Sequence, residues 1–131
     1  MARDIRNRED VEQLVHTFYD RIQQHPRLGY IFNQVATINW DLHLPKMVNF
    51  WENILFGTGK YKGNPLAVHQ KVHQQHPLNE TLFEEWLMLF TKTVDDLFSG
   101  ASATRAKERA AAIAQMMLQR LQEHSPFSYS E

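Results

Sequence analysis

Gly63-Asn-Pro-Leu-Ala-Val-His69 is the stretch whose reading decides what this chain folds around. Pro65 suits the first turn of a helix, where its missing N–H is not needed, and that places His69 one turn further along a short, stiff segment. Neutral imidazole is the commonest protein ligand for transition metals, haem iron among them. Pro-x-x-x-His also occurs in helices that bind nothing, so the plain alternative for His69 is a surface or capping histidine. The segments on either side have to decide, by whether they build walls around it.

On the N-terminal side, Gly57-Thr-Gly-Lys-Tyr-Lys-Gly63 reads as a loop. Its Gly-x-Gly-x-x-x-Gly spacing is one residue out of register for a dinucleotide fingerprint, and no alternating strand precedes it. Residues 40–56 carry Trp40, His43, Leu44, Met47, Phe50, Trp51, Ile54 and Leu55 at helical spacing, with Pro45 tolerable near the start. Thr37 or Asn39 is the expected cap, behind a polar segment 33–39 and a short apolar turn from Leu28 to Phe32. Further back, Asn7 caps a helix whose inward residues are Val11, Leu14, Val15, Phe18, Tyr19 and Ile22, ending near His25-Pro26.

On the C-terminal side, Pro77 breaks the chain and Asn79 caps a third long helix with Phe83, Trp86, Leu87, Phe90, Val94 and Leu97 facing inwards, stopped by Gly100. Ser102 is the expected cap of the last helix, whose inward residues Ala106, Ala110, Ile113, Met117 and Leu121 include small ones that permit close packing. Nothing alternates at period two for long enough to make a strand. The expectation is an all-α fold of four long helices and two or three short ones, in a single domain over 1–131 with its core at about 5–122 and a loose tail at 125–131.

Composition narrows the function. Fourteen basic residues against fifteen acidic ones give a net charge of -1, and no run of either sign suggests a nucleic-acid groove or a membrane patch. The absence of cysteine removes disulfides, thiolate metal sites and cysteine nucleophiles. The first residues are charged and no apolar run approaches ~18 residues, so the expectation is a cytoplasmic protein with no signal peptide.

Tyr19, His43 and Trp86 each bring one hydrogen-bonding group onto the inward stripe of a different helix. Singly, each reads as a buried polar group satisfied by a neighbour. Together, with His69 as a fourth, they would be satisfied around a small polar ligand, because an unpaired buried polar group costs on the order of 1–3 kcal/mol. A competing metal site would use His69, His73 and His76 at i, i+4 and i+7, but no carboxylate accompanies them and Pro77 follows at once, so His73 and His76 read chiefly as exposed polar residues.

Phe18-Tyr19, Leu28-Gly-Tyr-Ile-Phe32-Asn33, Trp40-x-x-His43, Asn49-Phe50-Trp51, Tyr61-x-Gly63-x-Pro65-Leu66-x-x-His69 and Trp86-Leu-x-Leu-Phe90 follow one another in an order that resembles the truncated haemoglobins, and among them the third group. The resemblance runs from about residue 5 to 122. It implies a two-over-two helical sandwich around haem b, with His69 as the proximal iron ligand. On the far face it implies Tyr19, His43 and Trp86 around bound dioxygen, nitric oxide or carbon monoxide, Phe32 stacked on the porphyrin and Met47 lining the pocket. His43 is open as a donor or as a gate. Lys46, Tyr61 and Lys62 are candidates for the haem propionates, against the plain alternative of solvated side chains. Donors from Tyr19 and Trp86 predict slow release of dioxygen, which favours ligand chemistry over bulk transport; carrying or sensing dioxygen, nitric oxide dioxygenase and peroxidase-like chemistry all stay open, in a monomer whose turnover would need a reductase. The rival reading is a haem-free helical bundle that binds metal through His69, His73 and His76 or docks another protein.

Overall fold

The computed structural model describes residues 2–123, so the loose tail expected at 125–131 lies outside the described residues. Its elements are α1 (Arg8–Gln24), α2 (Pro26–Tyr30), a π turn (Ile31–Val35), α3 (Trp40–Phe56), α4 (Pro65–Gln75), α5 (Glu80–Leu97) and α6 (Ala101–Glu123). Among the described residues the only β-type pairing is an isolated bridge between Arg3 and Phe98. No helix among them is long and apolar enough to cross a membrane.

The three-to-four-residue period of α1 buries Val11, Leu14, Val15, Phe18, Tyr19 and Ile22, as its pattern predicts. Burying each of the aliphatic and Phe side chains is worth roughly 1.5–3 kcal/mol. Asn7 starts the helix by accepting the Asp10 N–H at 2.9 Å. Asn79 does the same for α5 through Leu82, at 3.0 Å. Asn39 takes the cap position of α3 but makes no side-chain bond there.

These helices form two pairs. α1 packs on α3 and α5 on α6, and the pairs are stacked so that α1 meets α5 and α3 meets α6. This is an all-α, two-over-two helical sandwich, as expected. Ala103, Ala106, Ala110 and Ala114 are buried along α6, where small side chains let neighbouring helices approach closely. α4 rests on α6.

Two expectations fail. The sequence reading ends the short apolar turn at Phe32, whereas the backbone continues to Val35 as a π turn closed by the Ala36 N–H on the Ile31 carbonyl at 2.8 Å. Thr37 follows at φ 49. The expected cap Ser102 instead lies inside α6, and Asp4 supplies the acceptors: its carboxylate takes the Ser102 and Ala103 N–H groups at 3.0 and 2.9 Å. Gly100, at φ 144, brings the chain in beside that carboxylate, and a Cβ there would stand 2.7 Å from Asp4 Cβ. Arg3, next to Asp4 in sequence, forks onto the buried Asp10 (Nη1–Oδ2 2.8 Å) and so ties the same segment to α1.

Asp4→Ala leaves the first N–H groups of α6 without acceptors and is expected to cost about 1–2 kcal/mol, seen as a lower urea midpoint at unchanged slope. Burial pushes the Asp4 carboxyl up, but the Ser102, Ala103 and Ile5 N–H groups together with Arg6 outweigh it and hold it below its ordinary 3.8. The folded state therefore favours the charged form, and this stabilisation is fully present above that value and lost as pH falls below it. The midpoints of wild type and Asp4→Ala should converge in acid; a gap that persists there would show that the charge is not what holds α6.

Candidate functional site

α4 carries His69 on its first full turn. Its Nδ1–H donates to the Pro65 carbonyl at 2.6 Å. A carbonyl only accepts, so the proton sits on Nδ1 and the Nε2 lone pair is left free. Burial pushes the imidazole pKa down, with the Pro65 bond pulling the other way, which keeps the neutral, ligating form. Asn64 starts α4 by accepting the Ala67 N–H at 3.1 Å. Ahead of it, Tyr61 folds back over Gly63: a Cβ at Gly63 would stand 2.6 Å from Tyr61 Cζ. The Tyr61 ring then meets Phe50 of α3 edge-on at 5.1 Å. The Tyr-x-Gly-x-Pro element is thus a packing device that seats α4.

α1, the π turn and α3 bring a second set together. Tyr19 is buried at 5 % exposure, and its ring contacts His43 at 5.1 Å, Phe32 at 5.8 Å and Trp40 at 5.6 Å between centroids. Burial, and then Tyr61, raise the Tyr19 phenol far above its usual value, so it remains a proton donor throughout the physiological range. His43 Nε2 is buried and has no hydrogen-bond partner. Burial lowers the His43 pKa to about 4, with Lys46 and then His69 adding to the effect. Phe32 stacks with Trp40 at 5.9 Å and 17°.

Trp86 stands one ring away. It meets Phe18 edge-on at 5.8 Å and stacks on Phe90 at 5.6 Å, and Phe18 in turn meets Tyr19 at 5.0 Å. Met47 is half-buried and packs against the core. Lys46 and Lys62 are exposed, whereas Tyr61 is half-buried. His73 is corrected: it is buried at 6 %, because its Nδ1 accepts the Leu78 N–H at 2.8 Å and so ties the end of α4 to the connection before α5. His76, half-buried, uses Nδ1–H on the Pro77 carbonyl at 3.0 Å. His69, His73 and His76 are not brought together, and among the described residues no group of three His, Asp or Glu could hold a metal ion.

The donor set fits haem. One imidazole has its Nε2 freed by a fixed bond on Nδ1, and a second set supplies a buried imidazole nitrogen without a partner beside a phenol held protonated. Sequence reasoning passed over Trp40 and Asn33 as site residues. Trp40 touches Phe32, Tyr19 and His43 at once, and its Nε1–H donates to Asn33 Oδ1 at 3.1 Å. Both stand in the quoted motifs, but nothing in their spacing shows that a helix start and a π turn meet there.

Residues 4–122 match the family described as Bacterial-like globin. The chain is 32% identical over 111 residues, 82% of its own length and 85% of the relative's, to a group 3 truncated hemoglobin of Campylobacter jejuni subsp. jejuni serotype O:2. The crystal structure of a group III truncated hemoglobin from Campylobacter jejuni superposes with a TM-score of 0.81 at 30% identity, over 95% of this chain and 98% of that one.

His43 titration checks the geometry. A folded pKa of about 4, below the ordinary 6.5, means the unfolded chain binds the proton first. The contribution of neutral His43 to stability is fully present above 6.5 and is lost as pH falls toward 4. Long-range 1H–15N spectra should show the ring neutral from about pH 8 down to about pH 5; a midpoint close to the ordinary value would put the ring in water.

Proposed function

We propose, from the premise that this chain belongs to the bacterial-like globin family as a truncated haemoglobin of the third group, that it holds haem b through His69 and stabilises a small diatomic ligand with Tyr19, His43 and Trp86. Globins bind diatomic ligands at haem. The observations that carry the residue assignment are a His69 Nε2 left free by the Pro65 bond and a buried His43 Nε2 without a hydrogen-bond partner beside the Tyr19 ring. When bound, haem supplies an iron with one coordination position open to a diatomic ligand.

The chain's own groups do the rest. His69 ligates through Nε2, and the Pro65 carbonyl fixes the ring's orientation and strengthens its basicity. Tyr19 O–H would donate a hydrogen bond to a bound diatomic ligand, and its desolvation would make that bond worth more than it would be in water. His43, neutral with an unpartnered nitrogen, supplies a second hydrogen-bonding group beside it. Trp86 backs the Tyr19 ring through Phe18, and its indole N–H would be a further donor to the ligand. Phe32 and Met47 give the apolar surface against which a porphyrin packs, and Lys46, Tyr61 and Lys62 serve its propionates. With no cysteine in the chain, the haem is held without covalent thioether attachment.

Several donors at one ligand slow its release, which suits chemistry on dioxygen, nitric oxide or peroxide better than transport. Turnover in such chemistry draws electrons from a separate reductase. Three measurements test the assignment. Wild-type protein should be red with an intense Soret band, and His69→Ala should lose it or rebind only with added imidazole. Tyr19→Phe should speed dioxygen dissociation about tenfold in stopped flow, the size of one net hydrogen bond, with a smaller change for Trp86→Phe. Unaltered rates in both would remove the donors from the mechanism.

A further inference from the structure

We propose that Trp40 and Asn33 form a latch that controls passage of ligand to Tyr19 and His43, an inference that rests on the haem-binding reading above. Tyr19 and the tip of His43 are buried, and Trp40 lies against both, edge-on to His43 at 5.6 Å and 84° and tilted against Tyr19 at 5.6 Å and 55°. Its face stacks on Phe32. Trp40 itself is half-buried, and its one polar atom is tied at the solvent boundary to the exposed Asn33. The indole is thus the layer between solvent and the two polar groups, and a single exposed hydrogen bond pins it.

The surrounding backbone is built to give. Trp40 is the first residue of α3, and Asn39 before it makes no side-chain cap bond. Asn33 sits on the π turn, whose hydrogen-bonded ring is wider than a helix turn's. Between them Thr37, β-branched, is held at φ 49, where L-residues with branched side chains are disfavoured. Local opening draws on segments with weak caps and exposed hydrogen bonds, and this corner has both. Opening moves Trp40 away from Tyr19 and His43 while α1, with its buried stripe, stays in place.

A latch has a kinetic signature that a ligand-stabilising donor lacks. Losing a donor changes escape alone, whereas loosening a barrier that ligand must cross in both directions changes entry and escape by the same factor and leaves affinity unchanged. The probe is carbon monoxide on the haem-loaded protein, by flash photolysis for association and ligand replacement for dissociation. Asn33→Ala, and Trp40→Phe, which keeps a ring but loses the N–H, should each raise both rates by about three- to tenfold, and the double variant should be no faster than either. Haem-independent evidence comes from exchange of the Trp40 indole proton, which should accelerate in Asn33→Ala in apo- and holoprotein alike.

The proposal is overturned if both single variants fold, take up haem and leave the two rates as they were, or if dissociation alone changes. It is overturned equally if the double variant is additive. A colourless wild-type protein would sink the haem reading and the latch with it, whereas a red protein with ordinary Tyr19→Phe behaviour and unmoved Asn33→Ala rates would sink the latch alone.

Discussion

The hydrogen bond from His69 Nδ1–H to the Pro65 carbonyl, 2.6 Å long, is the constraint on which the site depends. It selects one tautomer, points one lone pair away from the backbone of α4, and does so within a single helical turn whose first residue cannot rotate about φ. Everything that seats α4 therefore acts on the direction of that lone pair. The Asn64 cap, the Tyr61 ring lying across Gly63, and the grip of His73 on the Leu78 N–H are three such restraints, one before the helix, one at its entrance and one at its end.

α1 does the complementary work. One face of it supplies the core with Val11, Leu14, Val15, Phe18 and Ile22, and the same face carries Tyr19, whose hydroxyl is the part of that stripe with a chemical use. Phe18 and Tyr19 are neighbours in sequence that serve two sides: Phe18 links to Trp86 and Phe90 of α5, while Tyr19 reaches Phe32, Trp40 and His43. A continuous sheet of ring contacts thus joins α1, α3, α5 and the π turn, and a polar group is placed in it by the packing of its apolar neighbours. The low pKa of His43 and the high one of Tyr19 are consequences of that enclosure before they are anything else.

Much of this was legible because the information is local. The α1 stripe, the Asn7 and Asn79 caps and the breaks near Pro26, Gly57 and Pro77 depend on residues within a turn or two of one another. The convergence of Tyr19 with His43 followed from asking which polar groups sit on inward stripes. The misses share a different property. Asp4 and Ser102 are 98 positions apart, so no window on the chain could assign the α6 cap to the first of them. The burial of His73 depends on where the chain goes after Pro77, and the π turn depends on how Phe32 must pack against Tyr19 and Trp40. Each is set by tertiary contact, against which local propensity has little say.

The Asp4 clasp also bears on how the molecule is made. A ribosome delivers Asp4 ahead of Ser102 by 98 positions, so the knot has to wait, unsatisfied, until α6 has emerged. Closing it makes a hydrogen bond between residues 99 positions apart, and such pairings set the pace of assembly because chain closure must precede any reward from it. The helices α1 to α5 can collapse on one another during synthesis, yet the second layer of the sandwich is completed only once α6 has joined them.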